Sequence, residues 1–160
     1  MAGYIFTASG TKLSIGPVTT TEPATAVAYA ALTPWVEVGF IETVGEFGDE
    51  AANIDFAVLG DGRVRKSKGA RNAGAISVTC AHIADDVGQI AMVAAEATNS
   101  TYAFKLELPN KLTPPGGINE FNYFLGLVMS KRLNVGGNDN IVRRTFNVGI
   151  TSKITTAAPT

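Results

Sequence analysis

Apolar and polar residues alternate most regularly between 102 and 108, where Tyr102, Phe104, Leu106 and Leu108 fall on one side and Ala103, Lys105 and Glu107 on the other. A period of two is that of a strand with one buried face. Ile76, Val78 and Cys80 against Ser77, Thr79 and Ala81 predict a second such strand. Two longer stretches, 119–133 and 141–151, flank a loop at 134–140 whose Gly136-Gly137-Asn138-Asp139 has hairpin chemistry. In the last strand Val142, Phe146, Val148 and Ile150 share a face, so the opposite face, with Arg143, Thr145, Asn147, Gly149 and Thr151, meets water or a polar partner. Shorter strands are predicted at 12–15, 35–41 and 53–59, and a turn at 109–117.

The period changes at Asp86. An N-cap aspartate with Gln89 three residues on opens a helix over about 86–98, and Val87, Ile90, Val93, Ala94 and Ala97 recur on one face, expected to pack on the sheet. Gly60-Asp61-Gly62 opens what reads as a long polar loop to Gly74. The fold class expected is mainly β, an antiparallel β-sandwich or barrel with one packed α-helix and one long loop. Residues 1–34, rich in Thr, Ala, Gly and Pro, read as an arm with the first strand, 35–151 as the core, and 152–160 as a tail without periodicity. No internal repeat is visible.

Composition changes the picture in one respect. Of 160 residues 46% are hydrophobic and only 17% charged, against roughly 25% charged in an average soluble domain. A surface so poor in charge implies that something covers it. The net charge of −1 makes the whole molecule no polycation for nucleic acid. Cys80 is the single cysteine, which excludes an intrachain disulfide or a Cys-based metal cluster and suits a core position. Residues 1–10 lack a signal-peptide pattern and no apolar run spans a bilayer, so the chain reads as soluble and not exported by a leader.

Catalytic chemistry finds little support. His82 is the only histidine; it follows Cys80 by two residues, so both side chains point the same way in an extended chain, but strand neighbours rarely reach hydrogen-bonding geometry. Asp85-Asp86 is explained by the helix macrodipole, and Asp49-Glu50 by a solvated loop. Arg65 stands before Lys66-Ser67 where a phosphate loop needs glycine, and Gly60-Asp61-Gly62 lacks the third glycine of a dinucleotide fold. No enzyme, metal or cofactor is expected.

Charge is instead segregated. From Glu22 to Asp61 there are eight acids and no Lys or Arg; then Arg63, Arg65, Lys66, Lys68 and Arg71 place five bases within nine residues. A phosphate-binding loop and a merely solvated loop remain open. The preferred reading sets the basic loop of one copy against the acidic segment of the next, since both signs on one near-neutral subunit suit a head-to-tail contact.

The run Trp35-Val36-Glu37-Val38-Gly39, then Val44-Gly45-Glu46-Phe47-Gly48, then Asp61-Gly62-Arg63-Val64-Arg65-Lys66-Ser67-Lys68-Gly69, resembles the tail tube proteins of siphophages. The likeness continues through Asp86-Val87-Gly88-Gln89-Ile90 and 99–105, covering about 30–151 in the family's order. The resemblance implies a β-sandwich similar to type VI secretion tube subunits, six copies closing a ring through inner strands, and rings stacked into a tube in the virion tail. It implies an inter-subunit loop at 60–74, and as partners the chain itself, tape measure, tail terminator and distal tail proteins, with double-stranded DNA passing through. Assembly would take place in the host bacterial cytoplasm. On that footing the loop is expected to order only on assembly. The lumen is expected to be polar, not strongly basic, with Asn122, Ser130, Thr145 and Asn147 as its candidate residues. Another virion ring protein (a terminator or connector) and a nucleic-acid-binding module are the alternatives.

Overall fold

The computed structural model describes residues 5–113 and 115–160; the first four residues, on which part of the signal-peptide reading rests, and Pro114 of the 109–117 turn lie outside them. The strands expected from alternation form: β1 Lys12–Val18, β6 Ala75–Ala81, β7 Tyr102–Leu108, β8 Glu120–Asn134 and β9 Arg143–Ile150. The stretch expected as one strand at 35–41 is two, β2 Val36–Val38 and β3 Ile41–Val44, because the backbone turns at Phe40, with φ 58°. All pairs are antiparallel, in the order β2-β1-β7-β8-β9-β6-β3. β2 and β3 are consecutive in the chain yet terminal in the sheet, so the sheet must curl, and its concave side closes on one core.

That core holds Leu13, Ile15, Val38, Ile76, Val78, Phe104, Leu106, Phe124, Phe146 and Val148, with Phe104 and Phe124 stacked at 5.4 Å between centroids. Within 1–34, read as an arm with the first strand, Leu13 and Ile15 of β1 contribute to the core. The segment also forms a short helix, α1 Ala26–Ala30, capped by Thr25. Tyr29 of α1 is buried and stacks on Tyr123 at 5.4 Å, so α1, Leu32 and Trp35 cover the convex side of β7 and β8 over Ala103, Tyr123 and Leu125. Sequence periodicity missed α1 because five residues make barely more than one turn. The 152–160 tail adds β10 Thr155–Ala157, paired with β8, too short to show a period.

The main helix, α2 Val87–Glu96, begins where expected, with the Asp86 carboxylate accepting from Gln89 N–H at 2.9 Å. Of the face expected to pack inward only Val93 does so, half-buried against the core, while Ala94 and Ala97 are exposed. Gly88, Gln89, Met92 and Ala95 face the sheet, while Val87 and Ile90 are exposed. The reason is local. A Cβ on Gly88 would collide with the backbone of Glu37 and Val38, so only glycine lets the helix approach β2. Gln89, 2% exposed, donates to the carbonyls of Ala81 (2.8 Å) and Gly39 (3.2 Å) and accepts from Ile83 N–H (3.2 Å). These contacts turn Gly88 and Gln89 inward beside Met92 and leave Val87 and Ile90 outside.

Two outcomes test this packing. Helix propensity alone has Gly88→Ala gaining about 1 kcal/mol, whereas overpacking against β2 makes it lose about 1–3 kcal/mol; urea denaturation is expected to show the loss. Cys80 is fully buried and donates to the Arg144 carbonyl, and burial pushes its thiol from 9.0 up to about 11. A raised value means its contribution to stability is present below pH 9 and lost as pH climbs through about 11. The native protein is therefore expected not to react with Ellman's reagent at pH 8, and to react fully in denaturant.

Candidate self-assembly interface

The expected site residues other than Asn122 fall on two surfaces. The first is the convex face of β3, β6, β9 and β8. Register sets Thr43 beside Thr79, Thr79 beside Thr145, Ser77 beside Asn147, and Ser130 and Arg132 beside Asn147 and Thr145. Thr79 and Thr145 hydroxyls are hydrogen-bonded at 3.2 Å. Hydroxyls and amides dominate. At the margin Arg143 grips Glu42 with two guanidinium nitrogens, which lowers the Glu42 carboxyl below its usual range and raises Arg143. The Arg143 charge is thus compensated on the face itself.

Ser130, Thr145 and Asn147 share this face. Asn122 does not; it is buried, accepting from Thr156 of β10 at 2.7 Å and donating to Glu120. The cause is a bulge: Val128 pairs with Val148 but Ser130 with Asn147, so Met129 is extra and reverses the facing of β8. Before it, even-numbered residues such as Asn122 and Phe124 face the concave side; after it, Ser130 faces out.

β8 is longer than either neighbour. Residues 120–126 pair with β7, whereas 127–134 pair with β9 alone, so one edge there has no strand partner among the described residues. The outer edge of β3 is equally open. The polar face therefore lies between two unpaired edges, the groups that template pairing with another chain.

The second surface is a projection. The 60–74 segment, expected as an irregular loop, is mostly strand: β5 Val64–Asn72 pairs with β4 Glu50–Ala57 in a two-stranded hairpin separate from the main sheet. Its polar residues hid the alternation that β4 carries in Ala52, Ile54 and Phe56. Part of the charge expected to meet a neighbour is satisfied inside the hairpin. Lys66 pairs with Asp55 at 3.0 Å and Arg65 with Asp61 at 2.8 Å. The Asp61 carboxyl is lowered by the Arg63 backbone N–H and then by Arg65. Among the described residues no carboxylate lies within salt-bridge distance of Arg63, Lys68 or Arg71. Register puts Phe56 opposite Arg65 and Ile54 opposite Ser67, on one face, and both apolar side chains are more than half exposed.

Neither surface carries catalytic geometry. The Cys80 hydrogen bond goes to Arg144, not His82, and no group of three metal-ligating side chains occurs among the described residues. No described helix is long and apolar enough to cross a membrane.

Solved structures share the fold. A PVC sheath/tube terminator in the extended state is 10% identical, with TM-score 0.69, covering 99% of this chain and 100% of that one. The SPP1 tail tube is 12% identical, with TM-score 0.64, covering 92% and 76%. A type six secretion system protein is 13% identical, with TM-score 0.53, covering 93% and 91%. Among curated proteins none matches the sequence. Identities this low speak for architecture alone, which tube and terminator subunits have in common. The sequence itself carries the distinction: the phage tail tube protein family model matches residues 3–159, spanning every strand and both helices, and the chain belongs to that family.

Proposed function

We propose that copies of this chain close into hexameric rings that stack into the tail tube of a long-tailed bacteriophage, and that the tube is a passive conduit for the genome, without enzymatic activity. The observation that carries the reading is the four-stranded run β3-β6-β9-β8, polar on its convex face and open at both edges. Pairing the β8 edge of one copy with the β3 edge of the next removes both exposed edges and extends the polar face round a lumen. Ser130, Thr145 and Asn147 then line the channel, with Asn122 set aside. A lumen mostly of hydroxyls and amides, with Arg132 as a base without an ion pair among the described residues, suits a surface that must let DNA slide, because each phosphate held by a Lys or Arg adds a salt-dependent binding term. The tape measure, terminator and distal tail proteins are the further partners of this reading. Assembly belongs to the host cytoplasm and the finished tube to the virion.

The projecting hairpin supplies the contact between copies in the stacking direction. Five bases against three acids give residues 50–72 a net charge of +2, leaving eight bases and eleven acids, net −3, on the remainder. Attraction between the two parts of one molecule becomes, in a stack, attraction between successive copies.

Purified protein is expected to form long hollow tubes in negative-stain electron microscopy; single rings that never lengthen would favour a terminator, and discrete monomers would defeat the reading. Arg65→Glu with Lys68→Glu places acids on an exposed hairpin, where surface changes usually stay within about 0.5 kcal/mol. Circular dichroism is expected to match wild type while tubes disappear. Tubes in normal yield would make the bases solvent-facing instead.

A further inference from the structure

The outward stripe of α2 is not explained by the fold. Val87, Ile90, Ala94 and Ala97 follow one another at three- and four-residue spacing and are exposed, with Ile90 53% accessible. Beside Ile90 an open hollow of about 160 Å3 is walled by Ile83, Ala84 and Val93, with His82 and Arg144 at its polar margin. The hairpin presents the complementary anomaly, since Ile54 and Phe56 stand on an uncovered face. A two-stranded hairpin is marginal in water unless it packs on something. Within the chain these two surfaces are apart: α2 packs on β1, β2 and β8, and the main contacts of β4 and β5 are with each other.

Resting on the self-assembly reading, we propose that the apolar face of the β4–β5 hairpin docks on the α2 stripe of a second copy, with Phe56 entering the hollow beside Ile90. Three observations select this occupant. The hollow is close to the ~150 Å3 apolar cavity that accepts a benzene ring, so one phenyl group fits it. Charge favours one approach: Arg65 flanks Phe56 on the same hairpin face, and although Arg144 stands at the hollow's margin, exposed Asp85 follows Ala84 there and exposed Glu37 lies where β2 meets the start of α2, so Arg65 meets acid on the helix side. The contact is also heterologous, each copy offering a hairpin and a helix, so it propagates along a stack and does not stop at a pair. Gly69 beneath Ile54 keeps the hairpin thin at that point, its absent Cβ position lying 3.1 Å from Ile54 Cδ1.

The test uses the full chain, in which buried Cys80 is silent. In a Ser67→Cys, Ala84→Cys double variant, which keeps Phe56 and Ile90 and sets the thiols on the hairpin's apolar face and at the hollow, a short bis-maleimide added to assembled tubes is expected to give a ladder of covalent multimers on denaturing gels. Each single variant alone is expected to remain monomeric on the gel, and a mixture of the two singles to give dimers. As a second arm, Ile90→Glu is expected to keep the wild-type circular dichroism spectrum and melting temperature while lowering tube yield at least about tenfold, as loss of a central apolar anchor does. Tubes without a ladder, or tubes in normal yield from Ile90→Glu, overturn the docking while self-assembly stands; the stripe would then be left for a different protein. A wild-type chain that forms no tubes overturns the self-assembly reading and the docking with it.

Discussion

The buried amide of Gln89 is the contact on which the rest of the architecture depends. Three backbone groups from three places, Gly39 in the β2–β3 turn, Ala81 at the end of β6 and Ile83 beyond it, find their partners on this one side chain. The neighbouring Asp86 carboxylate caps α2 and also accepts from Gly39 N–H at 3.1 Å. A buried polar group left unpaired costs about 1–3 kcal/mol, so these bonds hold the turn, the strand end and the helix in one arrangement. They pin the turn at which the chain passes from one end of the sheet to the other. Without that anchorage the curled sheet has no fixed closure.

One consequence is the division of apolar surface. Because Gly88 and Gln89 occupy the inner face of α2 beside Met92, Val87 and Ile90 point outward. The chain therefore carries exposed apolar area that solubility alone would not favour, on a surface already poor in charge. Such patches are characteristic of interaction sites.

The β8 bulge makes the second division. Up to residue 125 the convex side of β8 is apolar and covered by α1 and Trp35; past Met129 it is polar and bare. One strand thus serves as covered wall and as exposed lining, and the same length that allows this leaves residues 127–134 with an unpaired edge. In the proposed tube, lining and ring closure both rest on a strand that outruns its neighbour.

Alternation and capping made the mainly β class, the strands from 75 onward and the start of α2 legible in the sequence, because those features are set by residues close together in the chain. Resemblance added the family. Charge segregation singled out the basic segment, but not its form: the pairing of β5 with β4 and the Lys66–Asp55 bond exist only once the two strands lie side by side. The same holds for Asn122, which shares a period with Ser130 until Met129 shifts the count, and for α2, whose stripe fits either orientation until Gly88 meets Glu37. Period and propensity are local and determine what each segment becomes. Which face turns inward is decided by partners distant in sequence, since burial and hydrogen bonding are properties of the assembled neighbours and not of the segment itself.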